Sequence, residues 1–357
     1  MTIAVVGGGL AGLSAAWELR RAGADVVVLH SERHPGGVIV TERRDGFVVE
    51  GGPDGFLAAE PDIQDLAREL GIGDRLVDQL AKGSTLWTGA RLEPLAEGRA
   101  AALLGIQGHA ESELNRGFRS FATGMAQVVE ALVAQVGPAI RAAQGVTALA
   151  PAARGWRLSV TGGSGVEAQA VILAVPAWIA ARLLAALGVA AARALDEVVY
   201  YPSITVSLAY RADQVSQRLD GTGFVAAAEA GGAVRACTYA WRKYPGRAPD
   251  GHALLRAFVG PVDGDPGAAA HAELAKILGL AGAPLWTRAF HWPRGLPRYH
   301  SGHAERVAAV RQRLARLAPV AIAGAAFDGA GVSACVKSGR EAARMILQRL
   351  GVASARG

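Results

Sequence analysis

Residues 2–30 read TIAVVGGGLAGLSAAWELRRAGADVVVLH, and the order of features in this stretch decides the fold. Thr2–Val6 is a short apolar run, the pattern of a buried strand. Residues 10–22 carry apolar side chains at helical spacing and stop at Gly23, a residue suited to a helix C-cap. Asp25–Leu29 is again β-branched and apolar. Strand, glycine turn, helix and strand within about thirty residues make a βαβ unit, so the sheet containing it is at least partly parallel.

The turn is Gly7-Gly8-Gly9-Leu10-Ala11-Gly12. In this spacing Gly7 allows the tight turn and Gly9 lets backbone N–H groups approach a pyrophosphate. Gly12 lets the helix pack on the strand. The second strand ordinarily ends in a carboxylate for the ribose hydroxyls. Here that position is His30, followed by Ser31 and Glu32. A neutral imidazole accepts one hydrogen bond, whereas a carboxylate takes both hydroxyls. The expectation is a weaker hold on the cofactor than a glutamate would give, with Glu32 either reaching in or standing solvated.

A second motif, Pro35-Gly36-Gly37-Val38-Ile39-Val40-Thr41, places a paired glycine where two-domain flavoproteins pass close to their cofactor, which selects FAD over NAD. It leads into Gly46-Phe47-Val48-Val49-Glu50-Gly51-Gly52-Pro53-Asp54-Gly55-Phe56. A third runs from Ala323 to Cys335, with Gly324, Gly329, Gly331, Val332 and Ser333 marking a glycine-rich turn into a helix. A helix start offers unpaired N–H groups and the positive end of the dipole. Aimed at a flavin pyrimidine, it stabilises negative charge on the reduced ring. The plain alternative is an ordinary helix start capped by Ser333.

With 51% hydrophobic and 19% charged residues, the 357-residue chain is globular, and long enough for two interleaved domains. The net charge of +6 rests on scattered arginines, since only Lys82, Lys243, Lys276 and Lys337 are lysines. With no dense basic run, the charge argues for an anionic small molecule and against nucleic acid. Cys237 and Cys335 share no metal-ligand spacing and suit a reducing cytosol. The glycine motif occupies the place of a signal's apolar stretch, and the apolar region 171–187 is broken by Pro176 and Arg182, so neither a signal peptide nor a membrane span is expected. His291, His300 and His303 lack an accompanying carboxylate or cysteine and are expected to be surface loop residues, so no metal is assigned. Further strands are expected at 38–41, 46–50, 155–161, 169–175, 200–210, 253–259 and 320–323. Helices are expected at 61–70, 125–136, 304–317 and from about Ser333.

Three more segments, Ser120-Phe121-Ala122-Thr123-Gly124-Met125, Pro245-Gly246-Arg247-Ala248-Pro249-Asp250-Gly251 and Trp292-Pro293-Arg294-Gly295-Leu296-Pro297, complete a pattern. Together with the glycine motifs, they resemble the protoporphyrinogen and coproporphyrinogen oxidases of the monoamine-oxidase-like flavoprotein superfamily. The resemblance covers residues 1–95 and 118–350. It implies that Gly7, Gly9, Leu10, Ala11, Gly12, His30, Ser31, Gly36, Gly37, Gly52, Gly324, Gly331, Val332 and Ser333 surround FAD, and it adds Val38, Pro53, Asp54, Val146, Ala174 and Pro176. The chain departs from the family at His30 and at Gly83, where an arginine thought to meet a substrate propionate is expected. Lys82 beside it, with Arg91 and Arg119, is expected to line the substrate pocket. A long helical insertion of the family is reduced here to residues 96–117.

The expected fold is α/β, a two-dinucleotide-binding-domain flavoprotein fold: a Rossmann-like FAD domain from 1–60, 118–190 and 300–357, and a mixed-sheet substrate domain from 61–117 and 191–299. The resemblance implies hydride removal from a porphyrinogen-like tetrapyrrole in haem biosynthesis. The alternatives are a related flavin amine oxidase or polyene desaturase, and a non-catalytic flavin-binding protein that lost its cover. The expected partner is an anionic tetrapyrrole or another small molecule in an open pocket, with membrane contact weak or absent. A homodimer contact or a separate partner is the expected cover for that pocket. The expected location is cytoplasmic or peripheral to the membrane. The family does not link its cofactor covalently, so the flavin should be released completely: denatured, ultrafiltered protein should leave all the yellow colour in the filtrate.

Overall fold

The computed structural model describes residues 2–96, 99, 103, 110–215 and 219–352. The βαβ unit opens a five-stranded parallel sheet in the order Ile140–Arg141, Asp25–Leu29, Thr2–Val6, Ala170–Leu173, Val320–Ile322. Side chains alternate across it. Ile3 and Val5 join a core with Leu13, Leu132 and Ile346, while Ala4 and Val6 join another with Leu158, Leu183 and Val310. Both faces are therefore covered, which is why these strands read as unbroken apolar runs. Helices Leu10–Arg21, Ala126–Val136 and Val332–Arg349 cover the first face. The second is covered by an antiparallel meander (Val146–Ala152, Gly155–Val160, Val166–Ala168) and by helices Ala177–Ala185 and His303–Leu314.

The last helix lies against the first. A Cβ on Gly339 would stand 2.0 Å from the Ala11 carbonyl oxygen, so the contact is backbone to backbone. Around it Arg340 bridges Glu18 and Glu69, both at 2.9 Å, and Arg344 adds a second bond to Glu18 at 2.7 Å. Arg340 and Glu18 are only 10% and 11% exposed, so each charge needs the other to remain inside.

The second layer is a seven-stranded mixed sheet in the order Trp286–Arg298, Val199–Arg211, His252–Val259, Val234–Tyr239, Gly223–Ala226, Ser84–Trp87, Leu92–Leu95. All its neighbours are antiparallel except Gly223–Ala226 with Ser84–Trp87. Helix Pro266–Leu278 packs on it, with Asp265 capping its start through Gly267 N and Gly279 closing it in the left-handed region. Strand Trp286–Arg298 carries Pro293 and Pro297, which break the usual strand pattern. It is tolerated because it lies at the sheet edge, where a missing N–H costs no ladder bond, and its register slips between Tyr201 and Ser203.

The hairpin expected at 38–41 and 46–50 is shifted. Its strands are Thr41–Arg44 and Phe47–Glu50, joined by Asp45 and Gly46, both at positive φ as a tight two-residue turn demands. One further bond, Gly51 N–H to Val40 O, continues the pairing, and the residues before it turn toward the glycine loop, where Gly36 N–H bonds the Gly8 carbonyl. The apolar stretch 100–106 lies outside the described residues except Leu103, while Glu111–Leu114 forms one helical turn. Among the described residues, no helix is long and apolar enough to cross a membrane. Because Gly339 has no room for a methyl group against Ala11, Gly339→Ala should destabilise the protein by about 1–3 kcal/mol, read as a lower thermal midpoint and weaker flavin retention.

Candidate functional site

The glycine loop, the paired glycines and the last helix meet at one place. Gly7 has φ +108° and no room for a Cβ, which would fall 2.1 Å from Ala174 O. A Cβ on Gly12 would lie 1.9 Å from Gly7 O. Gly36 and Gly37 take positive φ and bring this second loop alongside, with Gly36 bridged to Gly9 and a Gly37 Cβ falling 3.4 Å from Gly9 Cα. A Cβ on Gly324 would touch Ala11 at 3.4 Å. By contrast, a Cβ on Gly9 would meet no protein atom within 4 Å. Helix Leu10–Arg21 starts at Gly9 and helix Val332–Arg349 at Gly331, and neither start has a side-chain cap. The first N–H groups of a helix have no intrahelical partner. A cradle with an open face at Gly9, beneath the uncapped start of the first helix, fits a dinucleotide.

The other sequence-selected residues fall as follows. Ser333 does not cap its helix, since its hydroxyl accepts from Ile63 N–H at 3.2 Å. Ser31 lies beside the loop before Val146: a Cβ on Gly145 would come 3.3 Å from Ser31 Cβ. Val146 is buried in the meander, and Pro176 stands exposed at the start of helix Ala177–Ala185. His30 is buried, and both its ring nitrogens are engaged within the chain, at Gly8 N and His34 O. Cys335 is an inert thiol, pushed up to about 12 by burial.

A cavity of about 400 Å³ lies between the strip 51–55 and the seven-stranded sheet. Val38, Gly52, Pro53, Asp54 and Ala330 bring the cofactor motifs to its wall, while Leu114, Phe118, Phe224, Phe258, Trp292 and Leu296 supply apolar surface. The strip is held by donors from the sheet. Trp292 Nε1 and Thr205 Oγ1 bond the Gly51 carbonyl at 2.8 and 3.1 Å, and the Arg256 guanidinium bonds the Gly52 carbonyl. Arg247, 2% exposed, donates to Ala122 O, Ser120 Oγ and Phe121 O and stands 3.8 Å from Glu50. Two motifs far apart in sequence, 120–125 and 245–251, are therefore two halves of one buried contact.

Among the described residues, the cations at this cavity are Lys243 and Arg256. Lys82 and Arg91 are not in its lining. Lys82 is exposed, and Arg91 turns outward to Glu93 at 2.7 Å on its own hairpin. Arg119 does not line it either, being held by Asp78 at 2.6 Å and Gln64 at 2.7 Å. Sequence reading passed over Lys243, which lies two residues before the motif beginning at Pro245. Its partner Asp54 comes from 189 positions away, so no local spacing marks the pair. His303, expected on a surface loop, is buried at the start of its helix and packs on Tyr299.

Asp54 bonds Lys243 Nζ at 2.9 Å. Burial alone would raise the Asp54 carboxyl, but Lys243 and Arg256 outweigh it and hold it below the usual carboxylate range. For Glu50 burial wins: its carboxyl is raised despite Arg247 and the bonds from Thr41 and Met125 N–H. A carboxyl lowered on folding adds stability that is complete above its free value of about 4 and is lost as pH falls through the lower folded value. Asp54→Asn should therefore cost about 3 kcal/mol near neutral pH, by leaving Lys243 unpaired. In urea unfolding, the gap from wild type should stay constant down to about pH 4 and close below it.

Comparison with known proteins agrees with this geometry. The family model described as flavin containing amine oxidoreductase matches residues 78–347, and that of the NAD(P)-binding Rossmann-like domain matches residues 5–70. Coproporphyrinogen III oxidase of Propionibacterium freudenreichii subsp. freudenreichii is 27% identical over 490 aligned positions, covering 97% of this chain and 90% of that protein. The aligned span exceeds the length of this chain, so the relative carries residues with no counterpart here. Coproporphyrinogen III oxidase of Bacillus subtilis (strain 168) is 23% identical, covering 95% of this chain and 96% of that one. A crystal structure from Exiguobacterium sp. 255-15, described provisionally as a protoporphyrinogen oxidase, superposes with a TM-score of 0.84 at 24% identity over 98% of this chain and 99% of the other, a likeness of fold. The chain belongs to the flavin-containing amine oxidoreductase family.

Proposed function

We propose that this protein is an FAD-dependent oxidase that takes hydride from a porphyrinogen, with coproporphyrinogen III as the favoured substrate. The observation that carries the reading is the joining of the glycine cradle to an apolar cavity through Val38, Gly52, Pro53 and Asp54. The relatives matched over nearly the whole chain, which are coproporphyrinogen III oxidases, support the choice of substrate. The cofactor domain is assigned to residues 1–60, 118–190 and 300–357, and the substrate domain to 61–117 and 191–299.

FAD, when bound, supplies the hydride acceptor. The chain supplies position and field. Gly7, Gly9 and Gly12, with the N–H groups of Leu10 and Ala11, would hold the pyrophosphate, and Gly36 and Gly37 would flank it. Gly324, Gly331, Val332 and Ser333 would bring the start of the last helix to the flavin ring, where its dipole favours negative charge. Val38, Gly52, Pro53 and Asp54 would lie along the ring, with His30, Ser31, Val146, Ala174 and Pro176 toward the other parts of the cofactor.

Phe118, Phe224, Phe258 and Trp292 would receive the macrocycle while Lys243 and Arg256 set a positive field for its carboxylates. Lys243 stands over the rings of Phe118 and Tyr244 at 5.0 and 5.2 Å, so apolar surface and charge are presented together. No protein base is assigned: the cations orient the substrate, and the apolar walls exclude water from the transfer.

The test is anaerobic mixing of the yellow protein with coproporphyrinogen III, protoporphyrinogen IX, a primary amine and a polyene. The expected outcome is bleaching of the flavin by the porphyrinogens, fastest with coproporphyrinogen III, and porphyrin fluorescence appearing in step. Bleaching by the amine or polyene alone would overturn the assignment, and bleaching by none would identify a flavin carrier without this activity.

A further inference from the structure

We infer that His30 is a positioning residue for the glycine loop, acting through the Gly8 amide, and that the grip on the dinucleotide therefore depends on the acceptor its ring offers there. The inference rests on the assignment of FAD to this cradle. It concerns the position where this fold ordinarily places a carboxylate for the ribose.

The geometry allows one tautomer. Nε2 lies 2.9 Å from the His34 carbonyl oxygen, and a carbonyl only accepts, so Nε2 carries the hydrogen. Nδ1 lies 3.2 Å from Gly8 N, which only donates, so Nδ1 is bare. The ring is 6% exposed, and a Cβ on Gly8 would stand 2.9 Å from its Cγ, so the imidazole lies directly against the loop. The other end of Gly8 is also held, since its carbonyl takes Gly36 N–H at 2.8 Å. Gly8 is thus held through the peptides on both of its sides: the imidazole fixes the Gly7–Gly8 peptide, and Gly36 fixes the Gly8–Gly9 peptide that carries the Gly9 N–H. With both nitrogens engaged, the ring has no acceptor left for a ribose hydroxyl. His30 thus contributes to cofactor binding by shaping the loop.

Loss of the Nδ1 acceptor would leave the Gly8 N–H without its partner in a buried place. Among the described residues, the polar contacts of the ring are those to Gly8 and His34.

The experiment measures FAD dissociation from the holoprotein, by the fluorescence of freed flavin on dilution, in wild type, His30→Ala and His30→Asn. His30→Ala should bind more weakly by about tenfold, the effect of one buried hydrogen bond. His30→Asn has an amide oxygen at the reach of Nδ1, so it should recover most of that affinity. Nitrogen NMR of the wild-type imidazole should report the Nε2–H form. Full affinity in His30→Ala, no recovery in His30→Asn, or an Nδ1–H imidazole would overturn the inference while leaving the flavin assignment standing. A wild type that binds no FAD would overturn both.

Discussion

The close approach of Gly12 to Gly7 is the constraint on which the rest of the site depends. A first side-chain carbon on Gly12 would fall 1.9 Å from the Gly7 carbonyl oxygen and 3.2 Å from Ala174 Cβ, so only a hydrogen fits. That contact seats the first helix directly on the end of the first strand, with its uncapped start over the turn. Once seated, the helix becomes the platform for others. Gly339 lets the last helix touch it through Ala11 O, and Gly324 comes to rest beside Ala11. Two helices from opposite ends of the chain are thereby built onto one platform.

A second set of contacts joins this platform to the seven-stranded sheet, and it is made of charge and carbonyl oxygens. Arg247 and Arg256 are almost fully buried. A buried guanidinium is costly unless its donors are satisfied. Arg247 finds its acceptors in the Phe121 and Ala122 carbonyls and Ser120 Oγ, whereas Arg256 bonds the Gly52 carbonyl and its Nε has no hydrogen-bond partner among the described residues. Carbonyls held in this way leave the two layers little freedom to slide. The cavity keeps its shape because its floor, the strip 51–55, is tied to the opposite wall by Trp292 and Thr205. Glu50 and Asp54 experience the same arginines with opposite results. For Glu50 burial prevails, and for Asp54 the added ion pair with Lys243 prevails.

The position of His30 shows how a local departure is absorbed. Where the fold ordinarily uses a carboxylate toward the ligand, this chain has a ring that faces its own loop. One acceptor was visible in the residue type. Its use on Gly8 was not, because that depends on a side-chain rotamer and on the loop carrying His34.

Sequence alone determined the βαβ unit, the glycine cradle, the flavin motifs and most of the strands and helices around them. These are readable because they depend on local spacing: a strand period, a helix period, and glycines where backbone meets backbone. The edge strand Trp286–Arg298 was not readable as a strand, because its prolines are allowed only by its place at the margin of the sheet. Nor was the cation set of the cavity. Lys82 and Arg91 were plausible by position in the chain, yet Lys243 and Arg256 line the wall. Which arginine or lysine points inward is decided by partners nearly two hundred positions away, such as Asp54 for Lys243. Only tertiary structure brings those partners close enough to offset the cost of removing a charge from water.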